Sequence, residues 1–275
     1  MFLKLMYITN NEKLAKIADE CGIDWIFIDL EIKGKIERQG HLDTVISNHS
    51  LNDISKIKSH LINSKILTRI NPINNESLNE IDNVINSGTD LIMLPYFKKV
   101  EEVKFFISSV NKRVKTVLLL ETSEAVKKLD EILKIPGIDY IHVGLNDLHL
   151  DLKRKFMFEL LTDGTVESIS KKVNQSNIKF GFGGFGKIGA GLLPAENILI
   201  EHYRLKSEMA ILSRTFYSQN STINNLNEIR EYFKNEVSKI RTLEKEVINY
   251  SNSDFQKNQK VVNEIVNNIV EDKYD

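Results

Sequence analysis

Two short apolar runs end on carboxylates. Leu118 to Leu120 leads into Glu121-Thr122, and Ile138 to Val143 leads into Gly144-Leu145-Asn146-Asp147-Leu148-His149. An acid just after a strand can simply cap the next helix, as Glu121-Thr122-Ser123 could. Two acids delivered by neighbouring strands can also hold a hard divalent cation. Mg²⁺ or Mn²⁺ takes one or two carboxylates and completes its octahedron with water and substrate oxygens. Both readings stand on spacing alone.

The elements that must position these acids are legible as an alternation. Strand-like runs fall at Leu3–Ile8, Trp25–Leu30, Lys65–Ile70, Leu91–Leu94, Lys115–Leu120, Tyr140–Val143, Ile178–Phe182 and Met209–Leu212. Amphipathic stretches separate them, for example Leu14, Ile17 and Ala18, or Ile54, Ile57, Leu61 and Ile62 after a candidate N-cap at Ser50, and Glu124 to Leu133 reads as one helix. All four prolines (Pro72, Pro95, Pro136, Pro194) fall between these elements. Eight strands alternating with helices predict an α/β fold of the (β/α)8 TIM-barrel type, whose active face is built from the loops after the strands. A long amphipathic C-terminal helical extension follows. Leu226, Ile229, Phe233, Val237, Ile240, Leu243 and Val247 recur every three or four residues, and Val261 to Val270 form a second such segment. The domain division expected is 1–220 for the barrel and 221–275 for the extension, read as an oligomerisation element of a homo-oligomer.

Composition bounds the function classes. The 275 residues carry 37 basic and 38 acidic side chains, a formal net charge of −1, which supports neither a nucleic acid nor a membrane as partner. The single cysteine, Cys21, excludes an internal disulfide framework and fits a cytoplasmic protein. The N-terminus reads as a first strand rather than a signal peptide, and no apolar run approaches the ~20 residues of a membrane span.

Several motifs in order make the chain recognisable. Asp29-Leu30-Glu31 follows the second strand, Thr68-Arg69-Ile70-Asn71-Pro72 the third, and Gly88-Thr89-Asp90-Leu91-Ile92-Met93-Leu94-Pro95 spans the fourth. Glu121-Thr122, Pro136-Gly137-Ile138-Asp139 and Gly144-Leu145-Asn146-Asp147-Leu148 complete the set. From Trp25 to Leu212 this pattern resembles the HpcH/HpaI aldolase and citrate lyase β-subunit family, metal-dependent carbon–carbon lyases on a (β/α)8 barrel. The resemblance implies Glu121 and Asp147 as ligands of Mg²⁺ or Mn²⁺ and Arg69 as the catalytic group that holds the oxygens of a 2-oxo acid. A guanidinium suits a planar carboxylate through bidentate contact. Arg69 could instead form a structural ion pair. Glu31, Asn146 and His149 are expected beside the substrate.

The chain departs from the family pattern at three places. Family aldolases carry His directly after the acidic motif, where this chain has Ile32; Leu119 replaces a Gln and Leu145 a Pro. A replacement base is sought in the polar stretch Lys33 to His49, with His41 preferred, because a histidine titrates near neutral pH. Gly181-Phe182-Gly183-Gly184-Phe185-Gly186 is read either as a loop after strand seven, presenting Gly183 and Gly184 to a phosphate, or as a tight turn. The expected function is a divalent-metal-dependent lyase or aldolase acting on a 2-oxo acid, free, phosphorylated or CoA-linked. The alternatives are a CoA-ester lyase of the citrate lyase type and a non-catalytic barrel serving as a binding or assembly subunit.

Overall fold

The computed structural model describes residues 2–33, 48–213, 215–217 and 225–274. Eight parallel strands close into a barrel in sequence order: β1 (Lys4–Ile8), β2 (Trp25–Asp29), β3 (Lys65–Arg69), β4 (Leu91–Leu94), β5 (Lys115–Leu120), β6 (Tyr140–Val143), β7 (Lys179–Phe185) and β8 (Met209–Leu212). The (β/α)8 architecture is therefore present as expected. Alternate residues point inward, and Met6, Trp25, Phe27, Leu67, Leu91, Met93, Val117, Leu119 and Met209 pack there as one apolar cluster. The outward-facing set packs against the helices as a second, larger cluster. Strands buried on both faces explain the continuous apolar runs of the sequence.

The helices around the barrel are α1 (Glu12–Glu20), α2 (Leu51–Lys58), α3 (Ser77–Asn86), α4 (Val100–Val110), α5 (Ser123–Lys127), α6 (Leu129–Ile132), α7 (Leu145–Asp151), α8 (Glu159–Thr162), α9 (Thr165–Val173) and α10 (Ala195–Arg204). Local chemistry sets their ends. The Asn11 side chain accepts the Lys13 and Leu14 N–H groups at 3.0 and 3.1 Å to open α1. Gly88, at φ +99°, closes α3 in the left-handed region.

Three expectations are corrected. Helix α2 stops at Lys58, so Leu61 and Ile62 lie beyond it and Ile62 is 84% exposed. The single helix expected over Glu124–Leu133 breaks at Lys128 into α5 and α6. The third correction concerns the glycine-rich run, most of which is strand: β7 extends to Phe185 with a register shift between Gly181 and Gly184. The glycines permit close approach. A Cβ on Gly184 would lie 2.1 Å from the Ile211 carbonyl oxygen, and one on Gly181 would lie 2.3 Å from the Met209 Cγ.

The two C-terminal helices pack onto the same chain. Helix α11 (Leu226–Val247) buries Ile229, Phe233, Val237, Ile240 and Val247 and lies against α1 and α10, the place of the barrel's last helix. Buried Glu244 ties it down by accepting the Leu3 N–H at 2.7 Å and the Tyr203 hydroxyl at 2.9 Å. Helix α12 (Asn252–Tyr274) packs on α10, where Asn258 donates to the Asn197 carbonyl at 3.1 Å and to Glu201 at 2.9 Å. Among the described residues, no helix is long and apolar enough to cross a membrane.

Candidate active site

Strand register brings the site together at the carboxyl end of the barrel. Asp29 on β2 pairs with Arg69 on β3, and Leu119 on β5 pairs with His142 on β6. Two residues further on, just past the strand ends, come Glu31, Glu121 and Gly144. A cavity of about 460 Å³ opens there, lined by Arg69, Glu121, Asn146, Asp147, Gly183 and Gly184 together with apolar side chains.

Arg69 is anchored by acids. Its Nε and Nη2 donate to the two oxygens of Asp29, each at 2.8 Å, and Nε lies 3.3 Å from Glu31. Burial works against its charge, but Asp29 and Glu31 more than offset that and raise its pKa further. The cation is permanent. The ring of Phe27 lies 5.5 Å beneath the guanidinium and fixes its plane from the barrel side. Both readings of Arg69 are thus present in one geometry: it forms a buried ion pair and also lines the cavity.

Glu121 is 3% exposed and accepts the Tyr96 N–H at 2.9 Å. Tyr96 holds φ +48°, a conformation uncommon for a residue with a side chain, and this turn aims its N–H at the carboxylate. The other oxygen faces Gly144, where an added Cβ would sit 2.7 Å away. Burial, then the charges of Asp147 and Glu31, push the Glu121 carboxyl well above its ordinary range; Arg69 and the Tyr96 N–H oppose this only in part. Asp147 lies in the first turn of α7 and is 8% exposed. Like charges meet at Glu121, and among the described groups Arg69 and the Tyr96 N–H offset them only in part, an environment that suits a cation. The donor set fits Mg²⁺ or Mn²⁺: two hard carboxylates beside an open cavity. Among the described residues, no group of three or more His, Cys, Asp or Glu side chains forms a complete protein cage.

The remaining expected residues are distributed as follows. Asn146, Gly183 and Gly184 line the cavity. Glu31 is 1% exposed and stands behind Arg69. His149 turns its Nδ1 to the Leu145 carbonyl of its own helix at 3.1 Å. His41 lies outside the described residues. His49 is described, and its Nδ1 accepts the Asp29 N–H at 2.9 Å, which requires that nitrogen to be unprotonated.

Sequence reasoning missed three parts of the site. The first is the clamp of Asp29 on Arg69, which needs the β2–β3 register. The second is His142 on β6; it is buried with Nε2 3.1 Å from the Gly183 carbonyl, yet it also lines the cavity. Burial depresses its pKa to about 4, so it is neutral at pH 7. The third is an apolar wall, Phe156-Met157-Phe158, in the segment between α7 and α8. Its Phe-x-Phe pattern was the only available signal.

The sequence pattern of the family described as HpcH/HpaI aldolase/citrate lyase matches residues 3–160. The chain belongs to this family. Solved structures agree on the fold. An HpcH/HpaI aldolase from Desulfitobacterium hafniense superposes with a TM-score of 0.60 at 15% identity, covering 87% of this chain and 93% of that one. An HpcH/HpaI aldolase/citrate lyase family protein from Burkholderia cenocepacia gives 0.62 at 13% identity, with coverage of 83% and 95%. The citrate synthase SbnG gives 0.57 at 16% identity, with coverage of 88% and 94%. No curated protein matches the chain. As an HpcH/HpaI family member the protein is of the lyase/aldolase class. Two of its departures from the family pattern, Leu119 and Leu145, are buried in the cavity wall, while the third, Ile32, is 58% exposed and does not line it.

Proposed function

We propose that the protein is a divalent-metal-dependent carbon–carbon lyase acting on a 2-oxo acid. The observation that carries this reading is the convergence of Arg69, Glu121 and Asp147 on one cavity at the active end of the barrel. Glu121 and Asp147 would hold Mg²⁺ or Mn²⁺. When bound, such a cation polarises the 2-oxo group and offsets the negative charge that develops on its oxygen.

The chain's own residues do the rest. Arg69, already oriented by Asp29 and Glu31, presents a fixed positive charge to the substrate carboxylate and needs no reorganisation when the substrate arrives. Gly144 leaves room beside the Glu121 oxygen that a side chain would fill. Asn146 offers an amide to the substrate oxygens from the first turn of α7. Leu119, Leu145 and Phe27 exclude water from the floor and strengthen each charge interaction above them. Proton transfer is assigned to the polar stretch that includes His41. A cytoplasmic location and self-association into a homo-oligomer are part of the proposal; the first rests on the lone cysteine.

The test is proton exchange at C3 of pyruvate, followed by NMR with and without Mn²⁺ or Mg²⁺. Metal-dependent exchange is expected in the wild type and its loss in Glu121→Gln and Asp147→Asn. Exposed Ile32, standing where family aldolases carry a histidine, favours the second reading of a barrel that binds without catalysis. Metal-bound protein that leaves pyruvate and other 2-oxo acids unexchanged would establish that reading instead.

A further inference from the structure

The cavity, about 460 Å³, is far larger than a pyruvate unit fills. Apart from Arg69, Glu121, Asn146 and Asp147 the lining is largely apolar: Leu145, Phe156, Met157, Phe158, Leu192 and Leu193 contribute to it, with His142, Ser213 and Thr215 as further polar groups. Among the described residues that line it, Arg69 is the cation. We infer that the substrate carries a hydrocarbon tail: the protein takes 4-hydroxy-2-oxo acids whose aldehyde half is an alkyl or aryl group, rather than a phosphorylated, carboxylated or CoA-linked one. This rests on the enolate chemistry proposed above.

Four observations support the assignment. The wall is rigid. Phe156 and Phe158 meet edge to face with ring centroids 5.3 Å apart, and the Phe156 N–H is held by Glu159 at 2.6 Å. Leu145 is seated directly on β7, since a Cβ on Gly183 would lie 2.6 Å from its side chain. The opposite rim is shaped by Gly189 and Gly191, at φ +81° and +105°, which turn the chain so that Leu192 and Leu193 follow. Finally, Leu192 is 58% exposed and Met157 half-buried, so apolar surface borders an open site where the fold itself gains little from it. A charged tail placed there would lose its hydration, and the one cation among the described lining residues, Arg69, is already engaged with Asp29 and Glu31.

The step balances without an added reactant. The 4-hydroxyl gives up its proton, the C3–C4 bond breaks, and its electron pair passes to C3. C3 then takes up a proton, so R–CH(OH)–CH2–CO–COO⁻ becomes R–CHO and pyruvate.

Calorimetric binding of 2-oxo acids tests the tail site independently of turnover, with Mn²⁺ present. Along pyruvate, 2-oxobutanoate, 2-oxohexanoate and 2-oxooctanoate, affinity is expected to rise about fourfold per methylene until the cavity is full. 2-Oxoglutarate should bind at least tenfold more weakly than 2-oxohexanoate. Met157→Asp and Leu192→Asp, at a half-buried and an exposed position, should each cut the 2-oxooctanoate-to-2-oxoglutarate preference about tenfold or more. A flat series, or a preference for 2-oxoglutarate, overturns the inference. Pyruvate C3 exchange separates the two readings: exchange with a flat series leaves the lyase proposal standing and removes the tail site. A rising series without exchange keeps the tail site and removes the lyase.

Discussion

The two mouths of the barrel carry similar residues and treat them in opposite ways. At the amino-terminal mouth an acid precedes each even-numbered strand: Asp24, Asp90, Asp139 and Glu208. Three of them accept a backbone N–H of the preceding strand, from Leu5, Ile66 and Thr116, at 2.8–3.0 Å. Each also meets a cation: Arg241 for Asp24, Lys58 for Asp90, Lys115 for Asp139 and Lys179 for Glu208. Charge is neutralised locally. At the carboxyl-terminal mouth Asp29, Glu31, Glu121 and Asp147 are buried around the single guanidinium of Arg69 among the described groups. The first arrangement stabilises the fold; in the second, burial and neighbouring acids raise the Glu121 carboxyl, and a bound cation would relieve that repulsion.

Substitutions at the two mouths should therefore separate cleanly. Replacing a carboxylate of the crowded mouth, by Glu121→Gln or Asp147→Asn, is expected to weaken Mn²⁺ binding at least about 100-fold and to reduce pyruvate exchange by about 10³. The thermal midpoint of the metal-free protein should not fall with Glu121→Gln, because a like-charge contact is relieved. Calorimetry and melting curves read these effects. If Glu121→Gln lost stability and kept metal binding, the contrast would collapse.

Asp29→Ala removes the clamp rather than a ligand. It leaves the buried Arg69 charge undercompensated and is expected to cost about 3–5 kcal/mol in urea unfolding. A cost below 1 kcal/mol would mean that Glu31 alone can anchor the guanidinium.

His142 gives a pH signature. Burial lowers its folded-state pKa from 6.5 to about 4, so the unfolded chain binds the proton more readily between those values. Stability is full above pH 6.5 and is lost as pH falls towards 4, by up to about 3 kcal/mol for this group. His202, also buried and also depressed, acts in the same direction. Glu121 acts oppositely, since its raised pKa favours the folded state at low pH. His142→Phe should flatten the acid limb of a melting-temperature profile, and an unchanged limb would reassign it.

Gly144→Ala is a steric probe. Gly144 has φ −80° and ψ 93°, so the backbone accepts alanine. The new methyl nevertheless meets the Glu121 carboxylate. A displacement of that oxygen is expected to lower exchange about 100-fold with little change in stability. The smallest effect belongs to the other mouth. Lys115→Met breaks a pair whose lysine side chain is 61% exposed, and it should cost less than about 1 kcal/mol and leave activity intact.

Much of this molecule is written locally. The order of eight strands and their helices follows from apolar runs and their polar, Gly- or Pro-marked boundaries, because a strand buried on both faces must be apolar throughout. The strand-end positions of Glu121, Asp147 and Arg69 follow from the same pattern. The motifs around them were enough to indicate the family. What the sequence could not express is which strand-end residues touch. Whether Arg69 meets Asp29 or the substrate depends on the β2–β3 register. Whether the glycines of β7 form a loop or a close-packed strand depends on the Ile211 carbonyl opposite. The apolar stripe of α11, read as an oligomerisation element, packs on α1 and α10 of its own chain, a contact that periodicity alone does not specify. The wall of Phe156, Met157 and Phe158 lies outside every strand-end motif and meets the site only through folding. Local periodicity determines elements, because it reflects which faces must leave water. Contacts between distant elements depend on closure of the barrel, and so only the tertiary structure could assemble the carboxylates, the guanidinium and the apolar wall into one cavity.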